Sequence, residues 1–143
     1  MRLLALDVGD RRVGVAVSDP LGLWARPLTV LIRRSREQDY RAIVALVQEH
    51  AVDRVLVGHP LELDGSSGIQ ARRVERYAAG LAQHLNVPIT LWDERLSTAE
   101  AERMLHDSGE SSREYRDRLD AVAAAVILDS YLKAAEERER RVE

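Results

Sequence analysis

A chain of 143 residues, 45% hydrophobic and 31% charged, suffices for one compact domain with a core and is too short for two ordinary ones. Its formal net charge of -3 excludes a simple polycation held to nucleic acid by bulk attraction. With no cysteine, disulfides, thiolate zinc sites and a cysteine nucleophile are excluded together.

The chain meets Asp7 too soon for a signal peptide, and no apolar run approaches the ~18 residues of a membrane span, so a cytoplasmic protein is expected. Leu3 to Leu6 is a continuous apolar run that halts at Asp7-Val8-Gly9-Asp10, and Val13 to Val17 resumes directly after. Two buried strands joined by a tight turn are predicted. Leu28 to Ile32 makes a third strand, with Pro27 at its entrance, where a missing N–H does least harm. From about Glu37 to His50 the period becomes helical, and Val52 to Val57 reads as a fourth buried strand ending at Gly58-His59-Pro60. After a loop of turn formers, a helix from about Ile69 to Leu85 carries Val74, Tyr77, Ala78 and Leu81 on one stripe.

Asn86-Val87-Pro88 closes that helix and opens a short fifth strand, Ile89 to Trp92. Ser97-Thr98-Ala99-Glu100 matches a capping box, which predicts a short helix to about His106, and Ser111 with Glu114 suggests another box. The final helix, roughly Glu114 to Glu137, ends in a fully charged tail. Residues 1–137 are thus expected to form one domain and 138–143 a charged tail. Three strands as a meander, then alternating helices and strands, imply an α/β protein with a mixed sheet covered on both faces.

Three acids stand out. Asp7 ends an apolar strand, and a carboxylate near a core needs a partner. Asp120 shares a helix face with Ala123, Ala124, Ile127 and Tyr131, so it points toward the core and must pair with Arg, be neutralised, or bind a metal. Asp93-Glu94-Arg95 follows the fifth strand, and the sequence leaves open which acid points inward. Hard oxygen ligands without His or Cys suit Mg²⁺ or Mn²⁺, and two such ions about 4 Å apart would activate a water and stabilise a leaving 3′ oxygen.

Gly9 and Gly14 leave space beside Asp7 for a ligand backbone or phosphate. The loop from Gly58 through Asp64-Gly65 leads to Ser66-Ser67-Gly68 at a helix N-terminus, where free N–H groups could hold a phosphate. His59 lies beside this candidate site. Residues 1–36 hold seven Arg and three Asp, a local +4, whereas residues 93–120 hold nine acids and five Arg, a local -4. An Arg rim including Arg11, Arg12, Arg33, Arg34, Arg72 and Arg73 could hold a nucleic-acid backbone next to an acidic centre.

Four segments together resemble the RuvX family, also called YqgF, of RNase H-like proteins: Ala5 through Ala16, Val57-Gly58-His59-Pro60 through Asp64-Gly65, Asp93 through Thr98, and Asp120-Ala121 with Ala123 and Ala124. The first segment alone would also suit the phosphate loop of the actin and sugar-kinase group. The resemblance implies a five-stranded sheet in order 3-2-1-4-5 and a metal-dependent nuclease that processes the 5′ end of pre-16S rRNA. Holliday-junction resolution is proposed for some members. It places the family's acidic positions on Asp7, Glu94 and Asp120, as catalytic residues and metal ligands. Gly9, Arg11, Arg12, Gly14 and His59 are then expected on the substrate path, as are Asp64, Gly65, Arg95, Ser97 and Thr98. Glu62 departs from the Asn that members often carry, adding negative charge beside that path.

Pre-rRNA or branched DNA is the expected partner, in pre-ribosomal particles for the RNA case, with the chain as monomer or homodimer. A non-cleaving ribosome-assembly factor is the alternative from another class. An ATP-binding module would need a closing partner domain, for which 143 residues leave no room.

Overall fold

The computed structural model describes residues 1–95 and 112–142. Five strands, β1 (Leu3–Val8), β2 (Arg12–Ser18), β3 (Ala25–Ile32), β4 (Arg54–His59) and β5 (Ile89–Asp93), form one sheet in the order β3-β2-β1-β4-β5. The β1–β2 and β2–β3 pairs are antiparallel, and β1–β4 and β4–β5 are parallel. This is the mixed sheet and strand order expected from the sequence and its family resemblance. The helices among the described residues are α1 (Arg36–Glu49), α2 (Ile69–Ala82) and α3 (Ser112–Val142). No described helix is long and apolar enough to cross a membrane.

Side chains alternate across a strand, and here both faces are used. Leu4, Leu6 and Val8 of β1, with Val13, Val15 and Val17 of β2 and Val55 and Val57 of β4, pack on Tyr40, Ile43 and Val47 of α1 and on Val74, Tyr77 and Leu81 of α2. On the other face Leu3, Ala5, Ala16 and Leu56 meet Ala124 and Leu128 of α3. A continuous apolar strand is what burial on both faces requires, which is why β1 and β4 show no polar alternation. Burying each Leu in these clusters stabilises the fold by about 1.5–3 kcal/mol.

Several boundaries differ from the sequence expectation. Strand β3 begins at Ala25, so Pro27 sits inside it and not at its entrance. It pairs with Ala16 where the β2–β3 register shifts, and a bulged edge strand tolerates the missing N–H. Helix α3 continues past Glu137 to Val142, because the charged tail consists of good helix formers with an i,i+4 pair, Arg140 Nη2 to Glu136 Oε1 at 2.8 Å. Helix α1 starts at the N-cap Ser35, whose hydroxyl accepts from Gln38 N. It ends in a Schellman turn with Ala51 at φ 50°, where Ala51 N donates to Gln48 O and Val52 N to Val47 O. The short helix expected from Ser97 to His106, and Ser111 of the second capping box, lie outside the described residues.

Candidate active site

Parity along the strands sorts the candidate residues. Asp7 falls on the α3 face of β1, following Leu3 and Ala5, and stands opposite Gly14 in the β1–β2 ladder. A Cβ at Gly14 would collide with the backbone carbonyl of Asp120. The space at Gly14 is therefore filled by helix α3, which corrects the expectation of a ligand there. The same close approach brings Asp120 next to Asp7. Ala121, Ala123 and Ala124 are buried in that contact and present too little bulk to hold the helix off the sheet.

Glu94 follows β5 immediately, and its backbone N–H donates to His59 O at 3.2 Å. Its carboxylate lies over Gly58 of β4, where a Cβ would collide with Glu94 Oε2 and come within 2.6 Å of Ile127 Cδ1. Trp92 braces this end of β5: its ring meets Tyr131 edge-on at 5.1 Å, and Nε1–H donates to Ser130 Oγ at 3.2 Å. Trp92 was not among the residues singled out for function in the sequence, and Gly58 was read only as the start of a phosphate loop, not as the seat of Glu94. A glycine within an otherwise apolar strand was the available signal for that seat.

The question of Asp93 against Glu94 resolves by the same alternation. Asp93 turns outward and accepts from Arg95 N at 3.0 Å and Arg95 Nε at 2.8 Å, which holds its carboxyl below the usual range. Glu94 turns inward and hydrogen-bonds Asp7. Burial, then the neighbouring Asp7 charge, pushes Glu94 up to about 8. Burial, then the Asp120 charge, pushes Asp7 up to about 6, against the lowering effect of its bond to Glu94. The two carboxyls thus share a proton near neutrality.

Asp120 is 30% exposed at its side chain, with Oδ2 3.8 Å from Arg12 Nη1. Among the described residues, no three His, Asp or Glu side chains are gathered closely enough to hold an ion as they stand. The donor chemistry nonetheless fits a hard divalent cation. Glu94 Oε2 is buried with no hydrogen-bond partner, beside a second carboxyl that burial discourages from ionising. A dication would compensate both.

The remaining candidates are placed elsewhere. His59 faces α2, with Nε2 3.5 Å from Glu75 Oε1, so strand alternation puts its side chain on the sheet face opposite Asp7 and Glu94. Its expected place on the substrate path is therefore not on the carboxylate face. Gly9 closes the β1–β2 turn by donating to Arg12 O at 2.8 Å, and Arg11 is exposed. Gly65 supplies the positive φ of 87° in a turn where Asp64 Oδ1 accepts from Ser66 N and Oγ. Arg95 ties this loop to β5 through Leu63 O at 3.2 Å. At the α2 N-terminus the Glu62 carboxylate lies against Gly68, so the chain's own anion occupies the position expected to receive a phosphate. Ser97 and Thr98 lie outside the described residues.

Residues 1–134 match the family model described as "RuvX: Holliday junction resolvase". A protein of Syntrophus aciditrophicus named "Putative pre-16S rRNA nuclease" is 46% identical over 134 residues, covering 94% of this chain and 89% of its own. A relative of the same name from Anaeromyxobacter is 48% identical over 132 residues, covering 92% and 96%. Two solved structures share the fold. Thermus thermophilus RuvC in complex with a Holliday junction substrate superposes with a TM-score of 0.59 at 17% identity, over 95% of this chain and 96% of that one. The Fowlpox virus resolvase in complex with Holliday junction DNA gives 0.56 at 12%, over 94% and 99%. With nearly the whole length matched by both the family model and relatives above 40% identity, the chain belongs to the RuvX family, whose members carry the names of nucleases.

Proposed function

We propose that the chain is a metal-dependent endonuclease that hydrolyses phosphodiesters in the 5′ region of pre-16S rRNA, within pre-ribosomal particles of the cytoplasm. The buried Asp7–Glu94 pair with an unpartnered Glu94 Oε2 carries this reading. Such a buried pair is costly to the fold unless a counter-charge compensates it. The name shared by relatives at 46% and 48% identity supports pre-rRNA as the substrate.

Asp7 and Glu94, joined by Asp120, would hold Mg²⁺ or Mn²⁺. When bound there, such ions supply the positive charge that makes water a nucleophile at neutral pH and neutralises the leaving 3′ oxygen, as in two-metal hydrolysis. The chain's own residues prepare that chemistry. Gly58 and Ile127 confine the Glu94 carboxylate against the sheet, Gly14 sets the depth of Asp120, and Arg12 holds the Asp120 carboxylate at the rim. The proton shared by Asp7 and Glu94 must leave before both oxygens can serve an ion.

Purified protein with Mg²⁺ or Mn²⁺ should cut a pre-16S rRNA fragment at defined positions, read by end mapping, and Asp7→Asn should abolish cutting with an unchanged circular dichroism spectrum. Full activity in Asp7→Asn would overturn the assignment. RNA binding indifferent to metal, without cleavage over long incubation, would establish the assembly-factor alternative instead. The family description favours a second reading, resolution of branched DNA, which a four-way junction tested in parallel distinguishes. Resolution needs two active sites and therefore two chains.

A further inference from the structure

A pocket of about 230 Å³ opens on the sheet face away from Asp7, between the starts of α1 and α2. Its floor is Val8, the last residue of β1 and the next after Asp7, with the turn Gly9-Asp10 that follows it. Arg33, Arg36, Arg73 and Arg76 line it, with Asp10 the one acidic residue among the described lining residues. The volume is below that of pockets for whole drug-sized ligands and suits a phosphate group.

One guanidinium is built in and the others are exposed. Arg33 Nη1 donates to Gly9 O at 2.8 Å, its Nε lies 3.5 Å from the buried Asp39 carboxylate, and its Cζ sits 4.8 Å from the centre of the Tyr77 ring. Asp39 in turn accepts from Arg34 N and the Tyr77 hydroxyl. This network fixes Arg33 in place before any ligand arrives, and part of its five-donor fork stays unused. Arg73 makes only a 3.7 Å contact with the exposed Asp10, while Arg36 and Arg76 form no ion pair with a described residue. Arg36 opens α1, whose first turn also carries Glu37 and Asp39, and Gln70 belongs to the first turn of α2, which contains no acidic residue.

We infer that this pocket is a second phosphate-binding site, which grips the sugar-phosphate backbone of the nucleic acid on the far side of the β1 rim from the carboxylate pair. Adjacent residues of one strand, Asp7 and Val8, point to opposite faces, so a strand crossing the carboxyl end of β1 meets the acidic centre first and the basic pocket next. Arg, with its planar fork, is suited to such phosphate contacts. The identity of the ligand as substrate rests on the nuclease reading above.

The test is binding, kept apart from cleavage. An Asp7→Asn protein is titrated with a four-way DNA junction and with an RNA stem-loop at several salt concentrations, and compared with the same protein carrying Arg36→Gln and Arg76→Gln. Both positions are exposed, so folding should be unaffected. The double substitution should weaken binding about tenfold and make the plot of log affinity against log salt shallower by about two. Arg138→Gln with Arg140→Gln, which removes equal charge from the end of α3, should change neither. An unchanged slope in the pocket variant, or equal weakening by the α3 pair, overturns the proposal. So does sub-millimolar binding of inorganic phosphate that the pocket substitutions remove while the nucleic-acid slope stays put, since that identifies a free-anion site. Cleavage by the unsubstituted protein is scored separately, so a chain that never cuts but shows the shallower slope loses the nuclease reading and keeps the pocket.

Discussion

Gly14 of β2 and the backbone carbonyl of Asp120 of α3 are in contact, with no room between them for a single Cβ. Because Gly14 is the ladder partner of Asp7, this one approach sets the separation of two of the three candidate catalytic acids. The contact thus links the packing of the α3 face to the electrostatics of the site.

Gly14→Ala should therefore damage stability and activity together. Forcing a methyl into that contact costs about 1–3 kcal/mol in displaced backbone. Asp120 moves away from Asp7 as a consequence, so RNA cleavage should fall far more than the folded fraction does. Denaturant unfolding and cleavage rates measured on the same preparation check both parts. Wild-type values in both would mean that the helix has another way to sit.

Metal-free protein should lose stability as pH rises. Asp7, pushed up to about 6 from 3.8, and Glu94, pushed up to about 8 from 4.5, bind protons more tightly folded than unfolded. Their contribution is complete below the unfolded values and is lost as pH climbs through the folded ones. A decline of about 5 kcal/mol between pH 5 and pH 8 is expected in chelator. Asp7→Asn should flatten the decline and be the more stable protein at pH 8. Unfolding curves across that range, with and without Mg²⁺, decide it, and a wild-type stability that rises with pH would contradict the assignment.

Ala51→Gly should stabilise the fold. A left-handed Ala costs about 1–2 kcal/mol, and the added freedom of glycine in the unfolded chain returns about 0.5–1 kcal/mol of that. The net gain of about 0.5–1 kcal/mol should raise Tm by about 2–4 °C, with cleavage unchanged. A lowered Tm would show that Ala51 is favoured by contacts other than its backbone.

The strands and helices were legible because hydrophobic periodicity is local. Continuous apolar runs in β1 and β4 follow from burial on both faces, and a stripe through Val74, Tyr77 and Leu81 from burial on one. Asp7 and Asp120 were also readable, since an acid inside an apolar pattern is a local anomaly. Pro27 inside β3 was not, because tolerance for a missing N–H depends on a bulge that only the β2 partner defines.

The choice between Asp93 and Glu94 required the β4–β5 register, which turns one outward to Arg95 and the other onto Gly58. His59 required it too, since a single step along β4 puts its side chain on the wrong face for the carboxylates. Gly14 shows the limit most directly: its need for space was visible, but the occupant was a helix more than a hundred residues away in sequence. By itself the sequence determined the elements, the two-faced sheet and the acids, which depend on neighbours along the chain. Tertiary structure alone decided which acids meet, which glycines make way for backbone, and where the arginines converge, because those depend on pairing register and packing distance between remote segments.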